Sequence, residues 1–395
     1  MKKLWVVAVL VVVSSVGLWL WTAKDSSSPT SDNKAASKTS PQPQQAKNSV
    51  RMYAMGDMLP HDSVVSQAKQ GNSYNFTSYF SSVQPLYKDA DAIFCNPEAP
   101  VSGDTYGVSG YPAFNAPTAF ARDLASSSGA GCNVITMGNN HINDRGQDVL
   151  EDSVAVWRGI KPLAVTGANT SPAEQKQVPT FTQNGVTVAV VALNEYNNRP
   201  PANSYALNSL SDETLVKTLM TTAKGSADAV IVSIHWKQEN ITQSTAAQRA
   251  AVARVAALGA DVIVGTGPHV WQEVAYVPSS SGKQTLVWYS IGNMLSSQLT
   301  IDQLTSGIAG FTIHKEGNGA VKVDTITIDP TFMSYTWPAA AKAADNLAAR
   351  SDLRLQPLKD ADSRIAAMFG PSRSSAERLD FLKQTVGSDV PVTYR

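Results

Sequence analysis

An α/β fold with mixed sheets is what this sequence predicts, and three observations predict it. Short runs of apolar and β-branched residues, such as Asp228–Ile234, alternate with amphipathic segments such as Leu210–Ala223. A run that is apolar throughout marks a strand buried on both faces, the habit of parallel sheets. Asn184-Gly185, between Thr180–Gln183 and Val186–Leu193, is a hairpin signal, so antiparallel pairing is expected as well. The third observation concerns the five histidines. His61, His141, His235 and His269 lie at the ends of apolar runs, and only His314 lies inside one. Open α/β sheets build their sites beyond the carboxyl ends of strands.

Composition narrows the function. The chain has 32 Lys+Arg and 32 Asp+Glu, so its formal net charge is zero. Nucleic acid as a partner has no electrostatic support. Cys95 and Cys132 each adjoin an expected strand and lack a CxxC partner. They read as small buried apolar residues, with a disulfide or metal pair the lesser alternative.

The N-terminus reads as a membrane segment. Lys2-Lys3 precede an apolar run from Leu4 to Thr22, about long enough to span a bilayer core. No convincing small-x-small cleavage site follows. Residues 1–23 are therefore expected to form an uncleaved signal anchor, with the lysines inside and the rest outside the cell. A cleaved signal peptide is the alternative. Residues 24–49, rich in Ser, Thr, Gln and Pro, are expected to be a disordered tether. The domain proper is expected over 50–330 and a helical extension over 331–395.

The elements follow in order. A strand Val50–Met55 ends in Gly56-Asp57, with His61 shortly after. A helix is expected over Phe76–Tyr87. The strand Asp91–Cys95 ends in Asn96-Pro97-Glu98, where the proline stiffens the turn. A helix Thr118–Ser127 precedes the strand Asn133–Met137, which ends in Gly138-Asn139-Asn140-His141-Ile142-Asn143-Asp144. That stretch holds more metal-capable groups than a turn requires. A helix Gly146–Trp157 and a strand Lys161–Val165 come next. The polar loop Asn194–Pro201 follows a strand, but nothing in it fixes a role. Asp228–Ile234 ends in His235-Trp236-Lys237-Gln238-Glu239. After the helix Ala246–Leu258, the strand Ala260–Val264 ends in Gly265-Thr266-Gly267-Pro268-His269. Thr285–Tyr289 leads to Ser290-Ile291-Gly292-Asn293. Gly307–His314 and Ala320–Ile328 form a hairpin; helices over Ala339–Ala349 and Ser374–Gln384, and a tail Pro391–Arg395, complete the chain.

Asp57 with His61, Glu98, Asn140 with His141, His235 and His269 thus sit at five strand ends. Carboxylate, amide and imidazole without thiolate suit one or two divalent ions such as Mn, Fe, Zn or Mg. No GxSxG elbow or Walker loop offers a different chemistry.

These motifs, in this order across roughly Met52 to Ser297, resemble the CapA family of poly-γ-glutamate capsule biosynthesis proteins, related to calcineurin-like metallophosphoesterases. The residues that carry the likeness are Gly56-Asp57 with His61, Asn96-Pro97-Glu98, Gly138-Asn139-Asn140-His141 with Asp144, His235-Trp236 with Glu239, Pro268-His269-Val270 with Gln272, and Tyr289-Ser290-Ile291-Gly292-Asn293. The resemblance implies a four-layer α-β-β-α sandwich. It implies metal ligation by Asp57, Glu98, Asn140, His235 and His269, with His61 a further candidate, and an acid or anion-stabilising role for His141. His141 and Asp144 are thus the candidate catalytic pair; Asn96, Lys237, Glu239 and Asn293 are the candidate substrate-binding residues. Three positions depart from the family pattern. Gly267 stands where a histidine is usual, Lys237 where a glycine is usual, and Pro97 where a leucine is usual. The implied function is a membrane-anchored, extracellular, metal-dependent protein acting on an anionic surface polymer or with its synthase complex. A metallophosphoesterase and a non-catalytic polymer-binding component are the alternatives.

Overall fold

The computed structural model describes residues 48–279 and 282–395. The expected anchor and nearly all of the expected tether lie outside the described residues. Among those described, no helix is long and apolar enough to cross a membrane.

The strand β1 (Ser49–Met58) leads into α1 (Asp62–Ala68) and a small hairpin, β2 (Lys69–Gln70) and β3 (Ser73–Tyr74). Then come β4 (Ala92–Pro97), α2 (Gly103–Tyr106), α3 (Thr118–Ala125), β5 (Val134–Thr136), α4 (Gln147–Gly159) and β6 (Ala164–Thr166). In this stretch β1, β4, β5 and β6 run parallel. The second stretch holds β7 (Thr180–Gln183), β8 (Val186–Asn194), α5 (Glu213–Ser226), β9 (Ala229–His235), α6 (Ala246–Ala257), β10 (Val262–Thr266), β11 (Val274–Pro278) and β12 (Gln284–Trp288). Here β8, β9, β10 and β12 are parallel, and β7 and β11 cap the edges antiparallel. Asn184 and Gly185 both take positive φ, as a tight hairpin requires. A Thr245–Gln248 capping box starts α6, and the Asp212 side chain caps α5.

The chain then returns to the first sheet. A short β13 (Asn293–Leu295) pairs with β1, and α7 (Ile301–Leu304) leads to the long hairpin β14 (Thr305–Lys315) and β15 (Val321–Thr336). After α8 (Ala339–Ala343) come β16 (Ser351–Pro357), α9 (Asp362–Phe369), α10 (Ser375–Val386) and β17 (Thr393–Tyr394). The sheet orders are β16-β15-β14-β1-β4-β5-β6 and β11-β12-β10-β9-β8-β7, with β13 and β17 joined to the first.

Alternation along each strand decides the layers. On β1, Met52 and Ala54 face the other sheet, meeting Val188, Ile231, Val264 and Trp288 in one core. Tyr53 and Met55 face outward into a second core with Phe120, Leu150 and Trp157 of α3 and α4. Val191, Val230 and Ile263 of the second sheet cover Leu219, Val252 and Val255 of α5 and α6. The order is therefore helices, sheet, sheet, helices.

Four expectations are corrected. Cys95 and Cys132 form a disulfide between β4 and the approach to β5, rather than standing as separate apolar residues. Phe76–Tyr87 is two short 3-10 turns, Thr77–Tyr79 and Gln84–Tyr87, because Pro85 removes a donor that a continuous helix needs. The helix after Pro338 stops at Ala343, short of a turn in which Asp345 has φ +51°. The boundary drawn at 330 falls inside β15, and β16 and β17 extend the same sheet. The expected tail is held by its last residue, with Arg395 paired to the buried carboxylate of Asp329.

Candidate metal centre

The parallel strands of both sheets end at one edge, so their carboxyl ends face each other there. Asp57 and Asn96 are register partners on β1 and β4. His235 is the register partner of both Asn194 and Thr266. This pairing carries the tips of two sheets, far apart in sequence, into one buried cluster.

Glu98 is its centre. The residue is wholly buried, and among the described residues neither carboxylate oxygen has a hydrogen-bond partner. Its Oε1 lies 3.5 Å from His235 Nε2 and its Oε2 lies 3.8 Å from His269 Nδ1. One oxygen faces each histidine. Asn140 Oδ1 lies 2.8 Å from His235 Nε2, while the other nitrogen of that ring, Nδ1, is 2.9 Å from Thr266 Oγ1. Asp57, by contrast, is fully partnered. It accepts from Asn96 Nδ2 at 2.8 Å and from the Gly267 N–H at 3.0 Å, and lies 3.0 Å from His269 Nδ1. Asn293 Oδ1 is also 3.0 Å from that nitrogen. Donor atoms of Asp57, Glu98 and His235 all lie within 4.8 Å of one another. An orphaned buried carboxylate between two imidazoles fits a divalent cation better than it fits any structural role.

Charge agrees with geometry. Burial alone would push Asp57 up, but the hydrogen bond and charge of His269, with His235 and Asn96 behind them, hold it below the ordinary carboxylate range. Burial depresses His269, yet Glu98 and Asp57 together outweigh it and raise the ring to about 10. His269 also takes φ +61°, a rare backbone state for a non-glycine residue, in keeping with a position over-determined by its surroundings.

His141 and Asp144, the candidate catalytic pair, stand beside this cluster. His141 Nδ1 lies 2.7 Å from Asp144 Oδ2, which also accepts from the Phe114 N–H at 2.9 Å. Phe114 packs edge-on against both His141 and His61. His61 adjoins the pair across Phe114. It precedes α1, its Nδ1 accepts from the Ser297 N–H at 3.4 Å, and burial followed by the Arg350 charge lowers it to about 3. Lys237 and Glu239 are exposed; Lys237 lies 5.1 Å from the Tyr196 ring centroid, and Glu239 adds to the field on His269.

Sequence reading left three contributors without a role. Asn198, in the loop after β8, lies 3.1 Å from His141 Nδ1, and its backbone N–H binds the Asn140 carbonyl. Its signal was the loop's position just beyond a parallel strand. Thr266 orients His235, and Asn139 bridges to Asn96 Oδ1 at 3.3 Å and to the Pro97 carbonyl at 3.1 Å.

Gly267 explains itself locally. It has φ +101°, and a Cβ placed there would overlap the Trp236 carbonyl oxygen and lie 3.1 Å from His235 Nε2. No side chain fits without moving those groups. Gly267→Ala is expected to lower stability by about 1–3 kcal/mol. The same substitution should weaken metal uptake by displacing the N–H that holds Asp57; thermal unfolding with and without added Mn²⁺ reads both effects.

Known proteins resemble this chain over part of its length. The CapA protein of poly-γ-glutamate (PGA) biosynthesis from Bacillus subtilis (strain 168) is 25% identical over 254 residues, covering 64% of this chain and 65% of that one. The capsule biosynthesis protein CapA of Bacillus anthracis is 26% identical over 268 residues, covering 65% and 62%. The matched region is thus less than two thirds of either relative's own length. Among solved structures, the NAD nucleotidase NadN of Haemophilus influenzae superposes with a TM-score of 0.43 at 11% identity, covering 76% of this chain and 62% of that one. The family model described as bacterial capsule synthesis protein PGA_cap matches residues 51–298, which include every residue of the candidate metal centre, and the chain belongs to that family.

Proposed function

We propose that this chain is a metal-dependent protein acting in the assembly or attachment of an anionic surface polymer of the poly-γ-glutamate kind. The observation that carries the metal is Glu98, a buried carboxylate with one free oxygen toward each of two histidines. Asp57, Glu98, His235, His269 and Asn140 would hold it. A divalent ion at such a site polarises an acyl or phosphoryl oxygen and acidifies bound water. Around it, His141 stands ready to move a proton or meet developing charge, oriented by Asp144. The polymer enters from family membership and from the names of the two relatives. The helix-sheet-sheet-helix order, with its site at converging carboxyl ends, supports a metallophosphoesterase-like architecture.

Export is part of the proposal. The N-terminal apolar run supports an anchor, and the Cys95–Cys132 disulfide supports an oxidising compartment. The polymer would then be met outside the cell membrane.

A second reading has one observation in its favour. At Gly267 the Trp236 backbone occupies the space that a Cβ would need, so this position offers no side chain as a further ligand. A weakened centre suits a non-catalytic polymer-binding component. The test uses the full chain reconstituted with Mn²⁺ or Zn²⁺, incubated with poly-γ-glutamate and, separately, with a generic phosphodiester. Metal-dependent change in polymer length or linkage supports the first reading. Phosphodiester turnover alone replaces it with a phosphoesterase, and polymer binding without turnover leaves the binding component.

A further inference from the structure

The surface around the centre carries an unusual set of side chains. Six large apolar or aromatic side chains are exposed among the described residues: Tyr106, Val108, Tyr111, Tyr196, Tyr276 and Leu299. Val108, Tyr111, Tyr196 and Leu299 lie on three loops, Tyr106 ends the helix α2 that leads into the first, and each loop is tied to a different histidine of the site. Tyr111 packs against Phe114, which covers His141. Tyr196 follows Glu195, whose N–H binds the His235 carbonyl. Leu299 follows Gln298, which accepts from Asn293, the partner of His269. Folded proteins scatter exposed apolar residues singly; a group confined to one mouth marks a contact surface.

From Leu299 this surface continues into a cavity of about 390 Å³, lined also by Tyr335, Trp337, Lys342, Arg364 and Phe369. The Tyr335 hydroxyl donates to the Gln298 carbonyl at 2.8 Å, fixing the cavity to the loop that reaches His269. Lys342 and Arg364 lie on the cavity wall, and Arg350 lies behind its aromatic rings. The Arg350 guanidinium lies 5.5 Å from the Tyr335 ring and 5.8 Å from the Trp337 ring. Arg350 is only 6% exposed; it donates to the Leu347 and Ser297 carbonyls and, among the described residues, forms no ion pair with a carboxylate. Lys342 lies 5.9 Å from the Trp337 ring and likewise has no carboxylate partner there. Arg364 alone is paired, with Asp352 at 2.7 Å. Hydrogen bonds to neutral carbonyls leave the charge of Arg350 uncompensated, and an incoming carboxylate would complement it. Every lining residue lies beyond residue 298, outside the part that matches the family model.

We infer that this cavity is a second binding subsite for the polymer, gripping a stretch of chain whose end lies at the metal centre. The ligand is an extended polyanion whose carboxylates are spaced by aliphatic stems. Carboxylates meet Lys342 and the Arg350 field, and stems lie on Trp337, Tyr335 and Leu299. This inference rests on the polymer reading above.

The experiment titrates the full-length, metal-loaded chain with two probes, a poly-γ-glutamate oligomer long enough to reach from the centre to the cavity and γ-glutamylglutamate. It compares the wild type with Lys342→Glu, an exposed position, and with Trp337→Ala. Both variants should bind the long oligomer about ten-fold or more weakly, with salt removing much of the Lys342 effect. Their affinity for the dipeptide and their metal content should be unchanged. Equal affinity of wild type and both variants for the long oligomer overturns the subsite while leaving the polymer reading intact. A wild type that binds neither probe overturns the polymer reading and the subsite with it.

Discussion

Glu98→Gln is expected to lower divalent-metal affinity by about 100-fold or more while leaving the metal-free protein at least as stable as wild type. The two effects have one origin. Glu98 lies in a place without solvent, and neither of its oxygens is hydrogen-bonded among the described residues. Without an ion, its oxygens are shut off from water and face only the His235 and His269 rings. An amide of the same shape removes the carboxylate charge and adds two donors beside Asp57 and Asn140. Asp57→Asn should behave differently. Asp57 already takes hydrogen bonds from Asn96, Gly267 and His269, so losing its charge leaves a buried imidazolium short of its partner. That variant should lose both metal and stability. The pH dependence follows from His269. Its ring is raised to about 10, so an ion bound through Nδ1 displaces a proton, and affinity should climb as pH rises toward that value. Thermal unfolding with and without Mn²⁺, beside elemental analysis, separates the cases. In wild type, metal at about 100 times its Kd should add about 2.7 kcal/mol; in Glu98→Gln the gain should vanish. A metal-free Glu98→Gln protein that is clearly less stable than wild type would show the carboxylate to be structural, and the metal reading would go with it.

Much of this was legible in the chain because strands announce their own ends. The apolar runs before Asp57, Glu98, Asn140, His235 and His269 are strands, and the polar residue after each run lies where a parallel sheet delivers it. What periodicity does not carry is the approach of one sheet to the other. Nothing local says that Asn198, beyond β8, reaches His141 beyond β5, since the contact depends on two sheets packing face to face. His61 shows the converse. It follows Asp57 by only a few residues, yet the turn after β1 carries it to the start of α1, against Phe114 and Ser297. The expected boundary at 330 divides a single strand, since Pro330 lies on β15 opposite Gly307, within a strand long enough to continue past it. The two cysteines, 37 residues apart, carry no spacing signal. Only the parallel pairing of β4 with β5 brings them together.

That pairing makes the disulfide the second large lever. Removing it with Cys95→Ala and Cys132→Ala together is expected to lower stability by about 4 kcal/mol, the loop-closure value for a 37-residue separation. Both sulfurs are buried in the core beneath α3 and α4, and alanine leaves only a small void, so chain entropy should dominate. The loss should also reach the metal centre. Cys95 stands immediately before Asn96-Pro97-Glu98, and the bond holds the end of β4 against the segment that enters β5 and leads on to Asn140. Denaturant midpoints of the oxidised wild type, the reduced wild type and the double variant give the comparison. The last two should coincide well below the first, with metal affinity lowered in parallel. If all three unfold at the same midpoint, the thiols are not joined in the working protein. The argument for an oxidising compartment would then fall, leaving the N-terminal apolar run as the sole support for export.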